Sequence, residues 1–393
     1  MKKTLMALAA TTLLAAPAMA EDVKLGIILG FTGPIESLTP DMAAGAELAI
    51  AEANASGNFM GGTNITSVRG DSTCIDSAAA TATAERLVTA DKVDGIMGAD
   101  CSGVTTAILQ NVAMANGVVM ISPSATSPAL STLEDNDLFF RTAPSDARQG
   151  QVVADILIDR GIKTAAMSYV NNDYGKGLAE SIIENFTAAG GTITISAGHE
   201  DGKADYGAEV GALAQAGGDI LIVAGYLDQG GKGIIQASLD TGAFDMFFMP
   251  DGMIGDSLPE AIGPDLDGSI GSVPGTDSKG AAAFADMASA AGFAAGPFAA
   301  ESYDAAALML MAMQASGSKD SNVYKNSIMD VANAPGIKIL PGELGKALEA
   351  IAAGKDVDYV GASAVELIGD GESAGSYAEI VVKGGKNTTA RYR

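Results

Sequence analysis

Tryptophan is missing from this 393-residue chain, histidine occurs once, at His199, and cysteine occurs twice. So few soft ligands argue against a zinc site, and a serine-histidine-aspartate triad would have to rest on that single imidazole. His199 opens the charged run His199-Glu200-Asp201-Gly202-Lys203, which reads as a solvated surface loop rather than the setting of a general base. Positive charge is scarce as well. Against 48 aspartates and glutamates stand 23 lysines and arginines, and a formal charge of −25 repels phosphate backbones and anionic lipid, which argues against nucleic acid as a partner. After the first twenty residues no stretch approaches the roughly 18 uninterrupted apolar residues of a bilayer span. The chain also has no G-x-x-x-x-G-K-[ST] phosphate loop, no G-x-G-x-x-G turn after its first strand and no G-x-S-x-G nucleophile elbow. No cofactor, no metal and no enzymatic activity are expected.

The first twenty residues form a unit of their own. Lys2 and Lys3 precede an apolar run over 5–16, and Ala18-Met19-Ala20 supplies an A-x-A cleavage site, so residues 1–20 read as a secretory signal peptide of Gram-negative type and place the mature chain in the periplasm. In an oxidising compartment, Cys74 and Cys101 become candidates for a disulfide. The rest of the sequence, 48% hydrophobic and 18% charged, suffices for a sizeable core, and its length suggests two domains.

Apolar strand runs and helix-forming stretches alternate at short spacing. Strands over 23–29, 65–69, 93–97 and 118–121 are separated by helices over 41–55, 77–90 and 104–115. The pattern restarts after Phe140-Arg141-Thr142-Ala143-Pro144, with strands over 164–169, 192–197 and 220–224 among helices over 147–160, 175–189, 206–216 and 231–241. Repeated βα units predict parallel sheets with helices on both faces, arranged as two similar lobes. A Gly, Ser and Pro-rich stretch over 268–279 looks like a crossover, two further helices cover 280–292 and 299–316, and the tail from Gly369 reads as a hairpin.

In such sheets ligands bind beyond the carboxyl ends of the strands. The turns there are hydroxyl-rich in the first half, with Ser102 after Gly98-Ala99-Asp100-Cys101 and then Ser122-Pro123-Ser124-Ala125-Thr126-Ser127-Pro128. Ser102 either caps the helix it precedes or, with the free N–H groups of the first turn, holds a carboxylate. In the second half the same ends carry Tyr174, Tyr226 and Asp251. Aromatic faces and a carboxylate suit a cationic amine.

Five segments together resemble the periplasmic branched-chain (Leu/Ile/Val) amino-acid binding proteins, the type I solute-binding components of ABC importers. They are Thr32-Gly33-Pro34, the pair Cys74 and Cys101, Ile121 through Pro128, Phe140-Arg141-Thr142, and Asp173-Tyr174-Gly175-Lys176-Gly177. The resemblance covers residues 21–393 and implies an α/β fold of two doubly wound lobes joined by a three-crossover hinge. The lobes would be 21–141 plus 275–355, and 142–274 plus 356–393. It implies that Ser102 and Thr126, with backbone N–H groups of Ser124, Ala125 and Thr126, hold the α-carboxylate of an amino acid. Tyr226 and Asp251 would receive its ammonium and Tyr174 would close over it. Leu38 stands where family members often place an aromatic that touches the ligand side chain, and Asp251 is one methylene shorter than the commoner Glu. Glu36 and Asp228 would add polarity to the pocket. The partners implied are a small-molecule ligand and the permease of an ABC importer, with the chain a monomer. An amide, urea or small carboxylate as ligand, or a sensing role beside a membrane receptor, are the alternatives.

Overall fold

The computed structural model describes residues 22–393, so the segment read as a signal peptide lies outside the described residues. Five strands, β1 (Val23–Leu29), β2 (Ile65–Asp71), β3 (Gly95–Gly98), β4 (Met120–Ser122) and β5 (Phe139–Arg141), form a sheet in the order β2-β1-β3-β4-β5. Every pair in it is parallel. In β1 only Lys24 reaches solvent, as expected of a strand covered on both faces.

The second sheet repeats this plan. Its parallel part comprises β6 (Thr164–Val170), β7 (Thr192–His199), β8 (Ile220–Ala224), β9 (Phe247–Met249) and β10 (Ile270–Pro274). Four short strands follow, β11 (Ile337–Ile339) paired with β12 (Val357–Tyr359) and β13 (Leu367–Ile368) paired with β14 (Glu372–Ser373). The chain ends in the antiparallel hairpin β15 (Tyr377–Val382) and β16 (Asn387–Tyr392), which completes the order β16-β15-β10-β9-β8-β6-β7. Within each sheet the first strand lies between the second and the third, so both have the same switch point, a crevice where the chain reverses its direction of travel across the sheet.

Between the sheets the chain crosses near 141–146, near 274–279 and after β14. The third crossing comes late because β12 is tied to the first sheet's helical layer. Tyr359 Oη donates to Asp304 Oδ1 at 2.7 Å, and the N–H groups of Ala362 and Ser363 donate to the same carboxylate at 2.7 and 2.8 Å. Asp304 belongs to the helix Ala299–Ser316, which packs along Thr39–Ser56. Their close approach depends on Gly45, where a β-carbon would lie 2.3 Å from the carbonyl oxygen of Ala299. Among the described residues no helix is long and apolar enough to cross a membrane.

Two first-lobe loops are joined by the Cys74–Cys101 disulfide, across a sequence separation of 27. By the chain-entropy argument a loop of this size contributes about 3.5 kcal/mol. The double variant Cys74→Ser/Cys101→Ser is therefore expected to lose about that much in denaturant unfolding, and an unchanged midpoint would show that the crosslink carries no stability.

Candidate functional site

The two switch points face each other, and most of the residues singled out in the sequence meet there. Ile35 and Leu38 follow β1, and Asp100, Cys101 and Ser102 follow β3. Tyr174 follows β6, Tyr226 follows β8, and Asp251 follows β9. With Ser124, Gly252 and Phe298 these residues enclose a cavity of about 20 Å³, room for about one water.

On the first lobe, Ser102 is the first residue of the helix Ser102–Ile108; Cys101 takes the N-cap position and no side chain caps this end. The Ser102 hydroxyl instead accepts from the Ser127 N–H at 3.1 Å, which leaves its own proton free to donate. Ser124 Oγ donates to the Asp100 carbonyl at 3.0 Å. Ala125 and Thr126 are fully buried behind the cavity wall, and the Ala125 N–H is spent on Ser122 Oγ at 2.9 Å. Thr126 Oγ1 is buried without a partner.

Arg141 shapes this loop. Fully buried, it donates through Nη1 to the carbonyls of Ala125 and Ser127 at 3.1 and 2.9 Å, and it pairs with Glu372. Asp100 is held by the Gly30 N–H at 2.6 Å and Ser72 Oγ at 2.9 Å, while burial raises its pKa.

On the second lobe, Tyr174 and Tyr226 stack with ring centroids 5.3 Å apart. Tyr174 Oη donates to Asp251 Oδ1 at 2.7 Å and accepts from the Gly252 N–H at 3.2 Å. Asp251 is fully desolvated, and burial pushes its pKa up to about 6. Gln149 stands behind it on the helix Asp146–Asp159. With the amide oriented by its partners, its nitrogen donates to Asp251 Oδ1 at 3.0 Å and Asp146 Oδ1 at 3.1 Å, and its oxygen accepts from the Asp251 N–H at 3.1 Å. Asp146 Oδ2 has no partner, and burial, with Asp251 nearby, raises the Asp146 pKa well above the usual carboxylate range.

Three expectations need correction. Glu36 is exposed and accepts from the Gly33 N–H at 3.3 Å within its own turn, so it adds nothing to the pocket. Asp228 instead joins the lobes: its Oδ2 accepts from the Ser37 N–H at 2.9 Å and its Oδ1 from Ser257 Oγ at 2.7 Å. His199 is not on a solvated loop. It ends β7, is 1% exposed, and its Nδ1 lies 2.8 Å from Ser168 Oγ, because β7 continues to the edge of the charged run.

Gln149, Asp146 and Phe298 were not anticipated. The first two lie on a helix behind Asp251, and Phe298 arrives from more than a hundred residues beyond Tyr174; only tertiary packing brings them together.

A clamp of two doubly wound α/β lobes, with hydroxyl groups on one jaw and a buried carboxylate and tyrosine pair on the other, is the architecture of a solute trap. The periplasmic binding protein family model matches residues 22–337, and the chain belongs to that family. It is similar to a Leu/Ile/Val-binding protein homolog 1 of Brucella melitensis, 31% identical over 330 residues, 81% of this chain and 86% of that protein. Among solved structures it resembles a branched-chain amino acid transporter substrate-binding protein of Streptococcus pneumoniae in complex with isoleucine, with a TM-score of 0.78, 23% identity, and 95% and 99% of the two chains covered. It also resembles a solute-binding protein of R. palustris in complex with benzoate, with a TM-score of 0.75, 21% identity, and 94% and 96% covered.

The buried acids fix how stability depends on pH. Burial raises Asp251 and Asp304 to about 6 and Glu301 to about 8. Unfolded carboxyls titrate near about 4, so between there and about 8 the folded chain binds more protons than the unfolded one, and stability falls as pH rises through that window. Glu379 acts the other way: against the cost of burial, hydrogen bonds from Arg391, Arg160 and Arg393 hold it at about 2, so its contribution is lost only in stronger acid. The thermal midpoint is expected to be higher near pH 6 than near pH 8, and Glu301→Gln should flatten the upper part of the decline. A midpoint that climbs toward pH 8 would contradict this.

Proposed function

We propose that this is an exported solute-binding protein that captures an α-amino acid between its two lobes and delivers it to the permease of an ABC importer. The observation that carries the reading is the opposition of unlike polar groups across the cleft. The free hydroxyl proton of Ser102, at a helix N-terminus, suits a carboxylate. Opposite it, the Asp251 carboxylate and the stacked Tyr174 and Tyr226 suit an ammonium. Thr126, one layer behind, supports the carboxylate end through its loop. Benzoate, the ligand of the R. palustris protein, has no ammonium to match Asp251. The Leu/Ile/Val naming of the Brucella relative and the isoleucine in the Streptococcus complex support an amino acid.

The lobes in this reading are 22–141 plus 275–373 and 142–274 plus 374–393; the attachment of β12 and β14 to the first lobe supports a third crossover later than residue 355. The A-x-A site after a basic start and an apolar run supports export to the periplasm. Closure follows from the split site: a zwitterion touching both lobes binds the closed form better than the open one, and only such a difference shifts a hinge.

The experiment is a dye-based thermal shift of the mature chain with amino acids, amides and small carboxylates, since a chain without tryptophan reports poorly by intrinsic fluorescence. A ligand at a hundredfold excess over its Kd adds roughly 2.7 kcal/mol. Asp251→Ala is expected to weaken amino-acid binding by about 2–5 kcal/mol in calorimetry, because it strands a desolvated ammonium. An unchanged Kd would remove Asp251 from the site. Silence across the whole panel, with protein unfolded and refolded to strip bound solute, would reject the amino-acid reading.

A further inference from the structure

The small cavity is not the whole cleft. Leu38 and Phe298 form one of its sides and also line a second, larger cavity of about 670 Å³ between the same two lobes. Asp41 and Glu301 come to this space from the first lobe, Asp256, Glu260 and Asn387 from the second. Its charged lining is wholly acidic; no lysine, arginine or histidine lines it.

Two groups there are open to a donor from a ligand. Glu301, in the first turn of Ala299–Ser316, is 3% exposed, and its carboxyl accepts from its own backbone N–H. Across the space, Asn387 donates through Nδ2 to the Gly255 carbonyl at 2.9 Å, while its Oδ1 is buried without a partner. A buried acceptor without a donor, as at Asn387 Oδ1, is costly, and a ligand that brings N–H groups removes that cost while giving the desolvated Glu301 carboxyl a cation. The wall between the cavities has its own peculiarity. Phe298 sits in the left-handed region at φ 62°, a conformation that a bulky residue keeps only where its surroundings impose it. Its ring and the flexible Leu38 side chain are what a ligand would have to pass.

We propose that the solute is an α-amino acid whose long side chain ends in a cationic nitrogen, an ammonium or guanidinium, and that this side chain runs between Leu38 and Phe298 to Glu301 and Asn387. The inference rests on the amino-acid reading of the clamp and names the class of side chain. The Asp251 end fixes the α-ammonium, and the acidic second cavity takes the distal cation. A purely aliphatic side chain of the same length would leave Asn387 Oδ1 without a donor and the Glu301 carboxyl without a cation.

The test is calorimetric titration of the mature protein, stripped of bound solute, with L-lysine, L-arginine, L-norleucine and L-leucine. Lysine or arginine is expected to bind at least about tenfold tighter than norleucine, the measure of a charge-assisted hydrogen bond to a buried group. Glu301→Gln is expected to bring the lysine-to-norleucine ratio close to one; should that variant not fold, Leu38→Trp, which fills the passage, is expected to remove the same advantage. Norleucine or leucine binding as tightly as both basic amino acids overturns the inference and leaves the amino-acid clamp standing. Failure of all four to bind overturns the clamp reading, and the inference with it.

Discussion

A carboxylate taken out of water is costly until it meets a cation, and burial that pushes the Asp251 pKa up to about 6 is the sign of that cost. The turn after β9 points it into the cleft, where Tyr174 donates to one of its oxygens and Gln149 supports it from behind. Neither brings positive charge. Asp146 lies on the same helix as Gln149 and is a second buried acid, whose pKa burial and the nearby Asp251 raise well above the usual range, so the negative charge facing the gap rests on Asp251. The packing around it follows from this need. Gly252 has no side chain because a β-carbon would lie 2.6 Å from the Gly225 carbonyl and 2.9 Å from Tyr174 Oη. The helix Asp146–Asp159 approaches Asp173–Ala188 closely enough that a β-carbon on Gly150 would lie 2.1 Å from Ser181 Oγ.

The first lobe solves the opposite problem. Its jaw is a loop of hydroxyls and amides that must hold its shape without a regular ladder of hydrogen bonds, and Arg141 supplies the frame. One guanidinium satisfies two loop carbonyls, the Ser131 hydroxyl and the Glu372 carboxylate. A planar donor with five N–H groups suits that task as a lysine would not. Glu372 lies on β14 and Arg141 at the first crossover, so the same ion pair ties the loop to the connections between lobes. The shape of the jaw and the path of the hinge are thus joined at one residue.

Much of this was legible in the sequence. Continuous apolar runs of four to seven residues, closed by turn residues and spaced by helix-forming stretches, announce parallel sheets covered on both sides, and each doubly wound sheet puts its ligand end at the strand tips. Ser102, Ser124, Tyr174, Tyr226 and Asp251, which line one cavity, stood out because they lie in the turns that follow strands. Gln149, Asp146 and Glu301 were not, because each sits on a helix whose role depends on what packs opposite, and an acid or amide in a helix ordinarily reads as a solvated face. Asp228 was placed at the right end of the lobe and given the wrong partner: its position beside Tyr226 was local information, whereas Ser37 and Ser257 lie far from it in sequence. His199 misled for the same reason. Charged neighbours describe the loop that follows, and a strand's last residue belongs to the sheet.

The Asp228 contacts also bear on how such a clamp discriminates. Ser37 of the first lobe bonds Asp228 and Ser257 of the second whatever the solute is, so this latch adds uniformly to closure and cannot distinguish one ligand from another. Discrimination has to come from groups whose partner the solute alone supplies. On the proposed reading those groups are acceptors: Asp251, which has hydrogen-bond donors but no cation, at one end, and Glu301 and Asn387 beyond Leu38 and Phe298 at the other. A solute with nitrogen at one end only satisfies half of them, and the remaining buried acceptors lower the affinity of the closed state for it. On that reading the latch sets how readily the lobes meet, and the acceptors facing the solute set for which molecule they stay shut.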